Sequence, residues 1–282
     1  MKVRHPSYAG TFYEGTPQSL RAQIEKCFTH ELGPKSLPKA AGNPLKTTVG
    51  LVSPHAGYMY SGPVAAHSYY HLALDGKPDS VVIFGPNHTG NGSALAAMRE
   101  GAWRTPLGEV EIDTAIADNI IRGSSLLDVD DAAHMQEHSI EVQLPWLQYL
   151  YGGGFKFVPI CFLMQDLQSS REVGMAVAKA LRDKNALIIA STDMTHYEPQ
   201  KEAQRKDQML IEAALKLEEE RLYSTVQSIG ASMCGYGPVI ATITAAKELG
   251  ARNGKLLCYK TSGDMTGDYS AVVGYSSLIF TK

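Results

Sequence analysis

Short, nearly continuous apolar runs alternate along this chain with longer segments of helical periodicity. The runs Thr48–Ser53, Ser80–Gly85, Phe155–Ile160, Ala186–Ser191, Leu256–Thr261 and Ala271–Phe280 are bounded by turn residues. They predict strands buried on both faces of a sheet. Apolar residues three and four apart predict helices over Pro17–Thr29, Pro63–Leu74, Thr114–Ile121, Ser139–Leu150, Ser169–Leu181, Glu202–Leu217, Glu220–Ile229 and Val239–Leu249. Trp103 to Asp113 turns at Pro106-Leu107-Gly108 and reads as a hairpin. This alternation predicts an α/β fold, a three-layer α/β/α sandwich around a central, largely parallel mixed sheet. The last two strands are separated only by Gly263-Asp264-Met265-Thr266-Gly267, which predicts an antiparallel pair. No repeat, long linker or break in composition divides the chain, so a single domain over residues 1–282 is expected.

Three of the predicted strands end alike. Thr48–Ser53 runs into Pro54-His55-Ala56-Gly57-Tyr58, Ser80–Gly85 into Pro86-Asn87-His88, and Ala186–Ser191 into Thr192-Asp193-Met194-Thr195-His196. In an open α/β sheet, ligands bind in the crevice outside the carboxyl ends of the strands. Parallel strands would therefore bring His55, His88 and the Asp193/His196 pair to one side. One such histidine means little, because hydrogen-bonded structural histidines are common; three junctions point to a shared site. Neutral imidazoles on neighbouring loops make part of a shell for zinc, iron or copper. Asp193 fits a ligand, a group that orients a histidine, or an acid or base.

Other residues extend this picture. Cys234 lies in Ser232-Met233-Cys234-Gly235-Tyr236-Gly237-Pro238, just before a helix, where the positive end of the helix dipole would favour thiolate. Gln136-Glu137-His138-Ser139-Ile140-Glu141 enters another helix. There His138 and Glu141 are one turn apart, so both could face the pocket, or Glu141 could simply complement a helix N-terminus. His67 and His71, and His134 and His138, are spaced four apart as metal pairs would be, but neither is expected to be one, and packing or surface roles are expected of His67 and His71.

Composition narrows the classes. Of 282 residues, 44% are hydrophobic and 20% charged, with a net charge of -3, which gives no electrostatic reason to expect nucleic acid or an anionic membrane. No run approaches the roughly 18 apolar residues of a membrane span. The opening residues lack the apolar core of a signal peptide, so a cytoplasmic protein is expected. Cys27, Cys161, Cys234 and Cys258 are scattered without a Cys-x-x-Cys pair, and all but Cys234 sit among apolar neighbours as packing residues would.

These motifs, with Ser61-Gly62, Cys234-Gly235, the opening Ala9-Gly10-Thr11-Phe12-Tyr13 and the turn Arg104-Thr105-Pro106-Leu107-Gly108, resemble the Memo family over nearly the whole chain. The resemblance implies a fold similar to class III extradiol dioxygenases. It implies a metal site of His55, His88 and Cys234, with Asp193 and His196 at further pocket positions. The leading reading is a mononuclear centre there, with Asp193 and His196 as catalytic or supporting groups and Tyr58, His138 and Glu141 lining the pocket. It implies iron or copper, with zinc as a further candidate, and a redox or metal-binding role. Animal members are linked to phosphotyrosine-dependent signalling, and prokaryotic members are named with a radical-SAM protein, an implied partner beside an unidentified small molecule or peptide. The dioxygenases hold Fe(II) with two histidines and a carboxylate, whereas a thiolate here would favour softer ions. Extradiol cleavage is therefore not expected. Two other classes stay open: a metal-free enzyme with Cys234 as nucleophile, and a non-enzymatic ligand- or peptide-binding module on an enzyme-like fold.

Overall fold

The computed structural model describes residues 2–282. Four strands form its parallel centre, in the spatial order Thr48–Ser53, Ala186–Ser191, Ser80–Pro86 and Lys156–Phe162. Every residue of Thr48–Ser53 and Ser80–Pro86 is buried, as strands covered on both faces must be. Val272–Thr281 joins antiparallel to Thr48–Ser53 at one side and carries the antiparallel strand Asn253–Thr261. At the other side Leu95–Ala97 pairs antiparallel with Lys156–Phe162, and Asp128–Val129 follows it. The short strand His196–Glu198 also pairs with Val272–Thr281, making a nine-stranded mixed sheet among the described residues.

Helices cover both faces. Tyr58–Asp75 packs on the sheet with Pro17–Thr29 against it, and Tyr236–Glu248 packs on the central strands with Leu167–Leu181 behind it. Pro17–Thr29 shows why such segments become helices. Thr16 accepts the Ser19 amide at 3.2 Å, Pro17 fits the first turn, and Leu20, Ile24, Cys27 and Phe28 form the buried stripe. Tyr236–Glu248 is buried on almost all sides, because it lies between the sheet and Leu167–Leu181.

The expected three-layer α/β/α sandwich is the observed fold, and the final pair of strands is antiparallel, with a short helix, Ser262–Thr266, in its turn. The hairpin also forms, as Ala102–Thr105 and Gly108–Glu111, but the N-terminal strand Val3–Arg4 extends it into a separate three-stranded sheet. Three helix starts differ by three residues or more. The helix expected from Pro63 begins at Tyr58, with Pro63 inside it, and the one expected from Val239 begins at Tyr236. The segment expected as a helix from Ser139 is a turn, then a 3-10 turn over Glu141–Gln143, then a helix over Leu144–Tyr151.

The loop before that 3-10 turn lies against the Ser80–Pro86 strand. A Cβ on Gly85 would overlap the Ser139 hydroxyl and come within 2.8 Å of Ile140 Cγ1. We expect Gly85→Ala to lose about 1–3 kcal/mol in urea unfolding, the usual cost of overpacking. Unchanged stability would contradict this close approach.

Candidate functional site

The parallel strands end on one side of the sheet, so the loops after Ser53, Pro86 and Ser191 emerge together. His55 and His88 meet there with ring centroids 5.2 Å apart. His138, from the loop packed against Gly85, lies 5.2 Å from His55 and stacks on His88 at 4.5 Å. One ligating nitrogen from each of these three rings falls within 4.8 Å of the others.

Hydrogen bonds fix the proton on two of these rings. Gln143 Nε2 donates to the Pro54 carbonyl at 3.0 Å and to Ser191 Oγ at 2.7 Å, while its Oε1 accepts the Tyr69 hydroxyl at 2.6 Å. Ser191 Oγ donates its only proton to the Ser139 carbonyl at 2.6 Å. The 3.0 Å contact between Ser191 Oγ and His55 Nδ1 must therefore have the imidazole as donor. His88 Nδ1 lies 2.8 Å from Glu137 Oε1, whose carboxylate also accepts the His88 amide at 2.6 Å. Both rings thus carry hydrogen on Nδ1, so in its neutral form each presents a bare Nε2, the arrangement a supported metal-binding histidine adopts.

Charges reinforce it. Burial alone would raise the Glu137 pKa, but the His88 hydrogen bond, the charges of His88 and His138 and the Ser139 amide bring it down to about 2. Burial, then the neighbouring His88, lowers His55 well below the ordinary imidazole value. Burial and His55 lower His138 to about 3. Neutral imidazoles can donate a lone pair to a metal ion; imidazolium cannot.

Cys234 Sγ lies 3.2 Å from His55 Nε2 and accepts the Asp193 amide at 3.3 Å. Its loop approaches closely: a Cβ on Gly235 would sit 2.7 Å from the Ser191 carbonyl oxygen. The helix terminus was expected to favour thiolate at Cys234, but its other surroundings favour the thiol. Burial, then the charge of Asp193, pushes this thiol above its ordinary pKa. Asp193 is buried, its Oδ1 accepts the His55 amide at 2.8 Å, and its Oδ2 lies 4.0 Å from His55 Nε2. Burial raises its pKa against the pull of that amide. His196 Nδ1 is 2.9 Å from the Ser232 carbonyl, which can only accept, so Nδ1 carries a hydrogen.

Two expected pocket residues lie elsewhere. Tyr58 is in the core against Trp146 and Tyr13, and its hydroxyl donates to the Val142 carbonyl at 2.6 Å. Glu141 neither lines the pocket nor caps a helix. It is fully buried, pairs with Arg4 at 2.7 Å, and accepts the amides of Ser7 and Tyr8 and the hydroxyl of Tyr13. The side chains beside His138 are instead Phe12 and Tyr8, with centroids at 4.7 and 5.2 Å. Sequence reasoning assigned no role to Glu137, Ser191 or Gln143. The first two stand inside the motifs it singled out, whereas nothing in the sequence marks Gln143.

Fold and site together define an α/β sandwich protein with a histidine cluster at the carboxyl ends of its parallel strands. The family model described as Memo-like protein matches residues 4–279, and the chain belongs to the Memo family. A MEMO1 family protein of Methanopyrus kandleri is 54% identical over 281 residues, covering 99% of each chain. Another, from Methanothermobacter thermautotrophicus, is 50% identical over 278 residues and covers 98% of this chain and 99% of its own. One from Sulfolobus acidocaldarius is 47% identical over 282 residues, again covering 99% of each. The crystal structure of an uncharacterized protein from Escherichia coli K12 is similar in fold. Its TM-score is 0.55 at 15% identity, covering 82% of this chain and 99% of that one. Among the described residues no helix is long and apolar enough to cross a membrane.

The neutral state of buried His138 has a pH signature. Its folded pKa is about 3, below the ordinary 6.5, so the unfolded chain binds the extra proton as pH falls between those values. With chelator present, His138→Gln should therefore gain stability relative to wild type below pH 6.5, by up to about 1.4 kcal/mol per pH unit. Urea unfolding from pH 7 to 4 measures this, and a difference constant with pH would contradict it.

Proposed function

We propose that this chain is a metal protein with a mononuclear centre, in which His55 and His88 are imidazole ligands and Cys234 is the third. The observation that carries the reading is the pair of pinned rings. Ser191 and Glu137 take the Nδ1 protons, so the bare Nε2 of His55 lies 3.2 Å from Cys234 Sγ and that of His88 has no hydrogen-bond partner among the described residues. Bonds of 2.0–2.3 Å to nitrogen and sulfur put neighbouring donors roughly 3–4 Å apart, which this spacing fits. Two imidazoles and a sulfur suit copper, zinc or iron over magnesium or calcium, and we favour iron or copper in a redox or metal-holding role. Such an ion, when bound, would supply Lewis acidity and, as iron or copper, one-electron chemistry.

The chain's own groups would do the rest. Asp193 is placed to hold a proton beside His55, and His196 offers a free Nε2 as a base. Tyr8 and Phe12 beside His138 supply a wall for a small organic ligand or a peptide side chain. The metal-free nucleophile is the weaker reading, because it needs a lowered thiol pKa and Cys234 is shifted upward. On the family resemblance and composition, the reading extends to a cytoplasmic protein with a radical-SAM partner.

Metal content after purification without added metal tests the centre, comparing wild type with His55→Ala, His88→Ala, Cys234→Ser and His138→Ala. The first three should lose more affinity than the roughly 10–100-fold that follows loss of a supporting partner. His138→Ala should keep most of its metal. Loss in His138→Ala with retention in Cys234→Ser would move the third ligand to His138. Equal content in all five proteins would defeat the proposal.

A further inference from the structure

Arg4 is remote from the site in sequence, and its side chain is fully buried. It stacks over Trp103, 4.1 Å from the ring centroid. Its guanidinium spends its donors on one segment: Nε on the His134 carbonyl at 2.7 Å, Nη1 on Glu141 Oε2 at 2.7 Å and Nη2 on the Glu137 carbonyl at 2.9 Å. Between those anchors, Gln136 to Ile140 has neither helix nor strand. That irregular stretch carries Glu137 and His138. A planar fork with donors in fixed directions can fasten three points of a loop at once, which an ammonium cannot. The strand Val3–Arg4 is in turn held parallel to Ala102–Thr105, so the fork is mounted on a sheet.

We propose that Arg4 is a positioning residue for His88, acting through Glu137. Arg4 fixes the Glu137 backbone, and the Glu137 carboxylate fixes both the amide and Nδ1 of His88. His55 is pinned by Ser191 and Gln143, and reaches the same loop only one step further on, through the Ser139 carbonyl that Ser191 donates to. Loosening the Arg4 fork should therefore disturb His88 directly and His55 less. The consequence for metal affinity rests on the metal centre proposed above; the consequence for the His88 proton does not.

The test is nitrogen-15 NMR of the histidine rings in metal-free protein, comparing wild type with Arg4→Lys. In wild type both His55 and His88 should show the Nδ1–H tautomer. In Arg4→Lys the His88 Nδ1–H signal should broaden or give way to a tautomer mixture while His55 changes less. Metal affinity should fall by about 10-fold or more. If Arg4→Lys does not fold, Arg4→Gln with Glu141→Gln removes both buried charges together and is read the same way. An unchanged His88 signal overturns the proposal, and so does an equal effect on His55, which would mean general loosening. A selective His88 effect in a protein that binds no metal would leave Arg4's role standing and defeat the metal reading alone.

Discussion

Everything at this site depends on where two protons reside. An imidazole offers a lone pair in a chosen direction only if its other nitrogen holds the hydrogen, and here Ser191 and Glu137 take that hydrogen from His55 and His88. Neither acceptor could act alone. Ser191 is forced to accept from His55 because its own proton goes to the Ser139 carbonyl, and Glu137 stays ionised because imidazoles and an amide surround it. The direction of each hydrogen bond follows from the one before, back to the Pro54 carbonyl, which can only accept. The parallel sheet sets the stage, since four strands ending on one side place these loops within reach.

The supports come from distant parts of the chain. The loop that bears Glu137 is gripped from the N-terminal strand by Arg4, packed against Gly85, and tied to Pro86 through the Ser139 hydroxyl. Arg4 and Glu141 form a fully buried ion pair, and removing one partner of such a pair costs about 3–5 kcal/mol because the other charge is left without compensation. Glu141 also gathers Ser7, Tyr8 and Tyr13, which carries the N-terminal segment past His138. Stability of the fold and geometry of the site are therefore joined through the same residues.

Much of this was legible in the sequence. Buried strands ending in Pro54-His55, Pro86-Asn87-His88 and Thr192-Asp193 gave both the parallel sheet and the cluster, because strand ends in an α/β fold share an edge. What escaped was set by long-range packing. Glu141 looked like a pocket or capping residue because one-turn spacing assumes a helix, and the segment there is a turn that faces Arg4, more than 130 positions away. Tyr58 belongs to the His55 motif and is expected in the pocket, but the helix starts at that residue and turns its ring into the core. The thiol of Cys234 was read from its helix terminus, whereas burial and Asp193, which only the fold brings together, dominate it. Val3–Arg4 is too short to show a strand pattern, and its pairing with Ala102–Thr105 has no local signal.

The central claim is that the free nitrogens of His55 and His88 and the sulfur of Cys234 converge on one metal ion. The most direct measurement is a crystal structure with anomalous diffraction collected at the iron, copper and zinc edges, on protein exposed to each metal. One anomalous peak bonded to His55 Nε2, His88 Nε2 and Cys234 Sγ is expected. No peak at these residues with any of the three metals, or a peak bonded elsewhere, would contradict it.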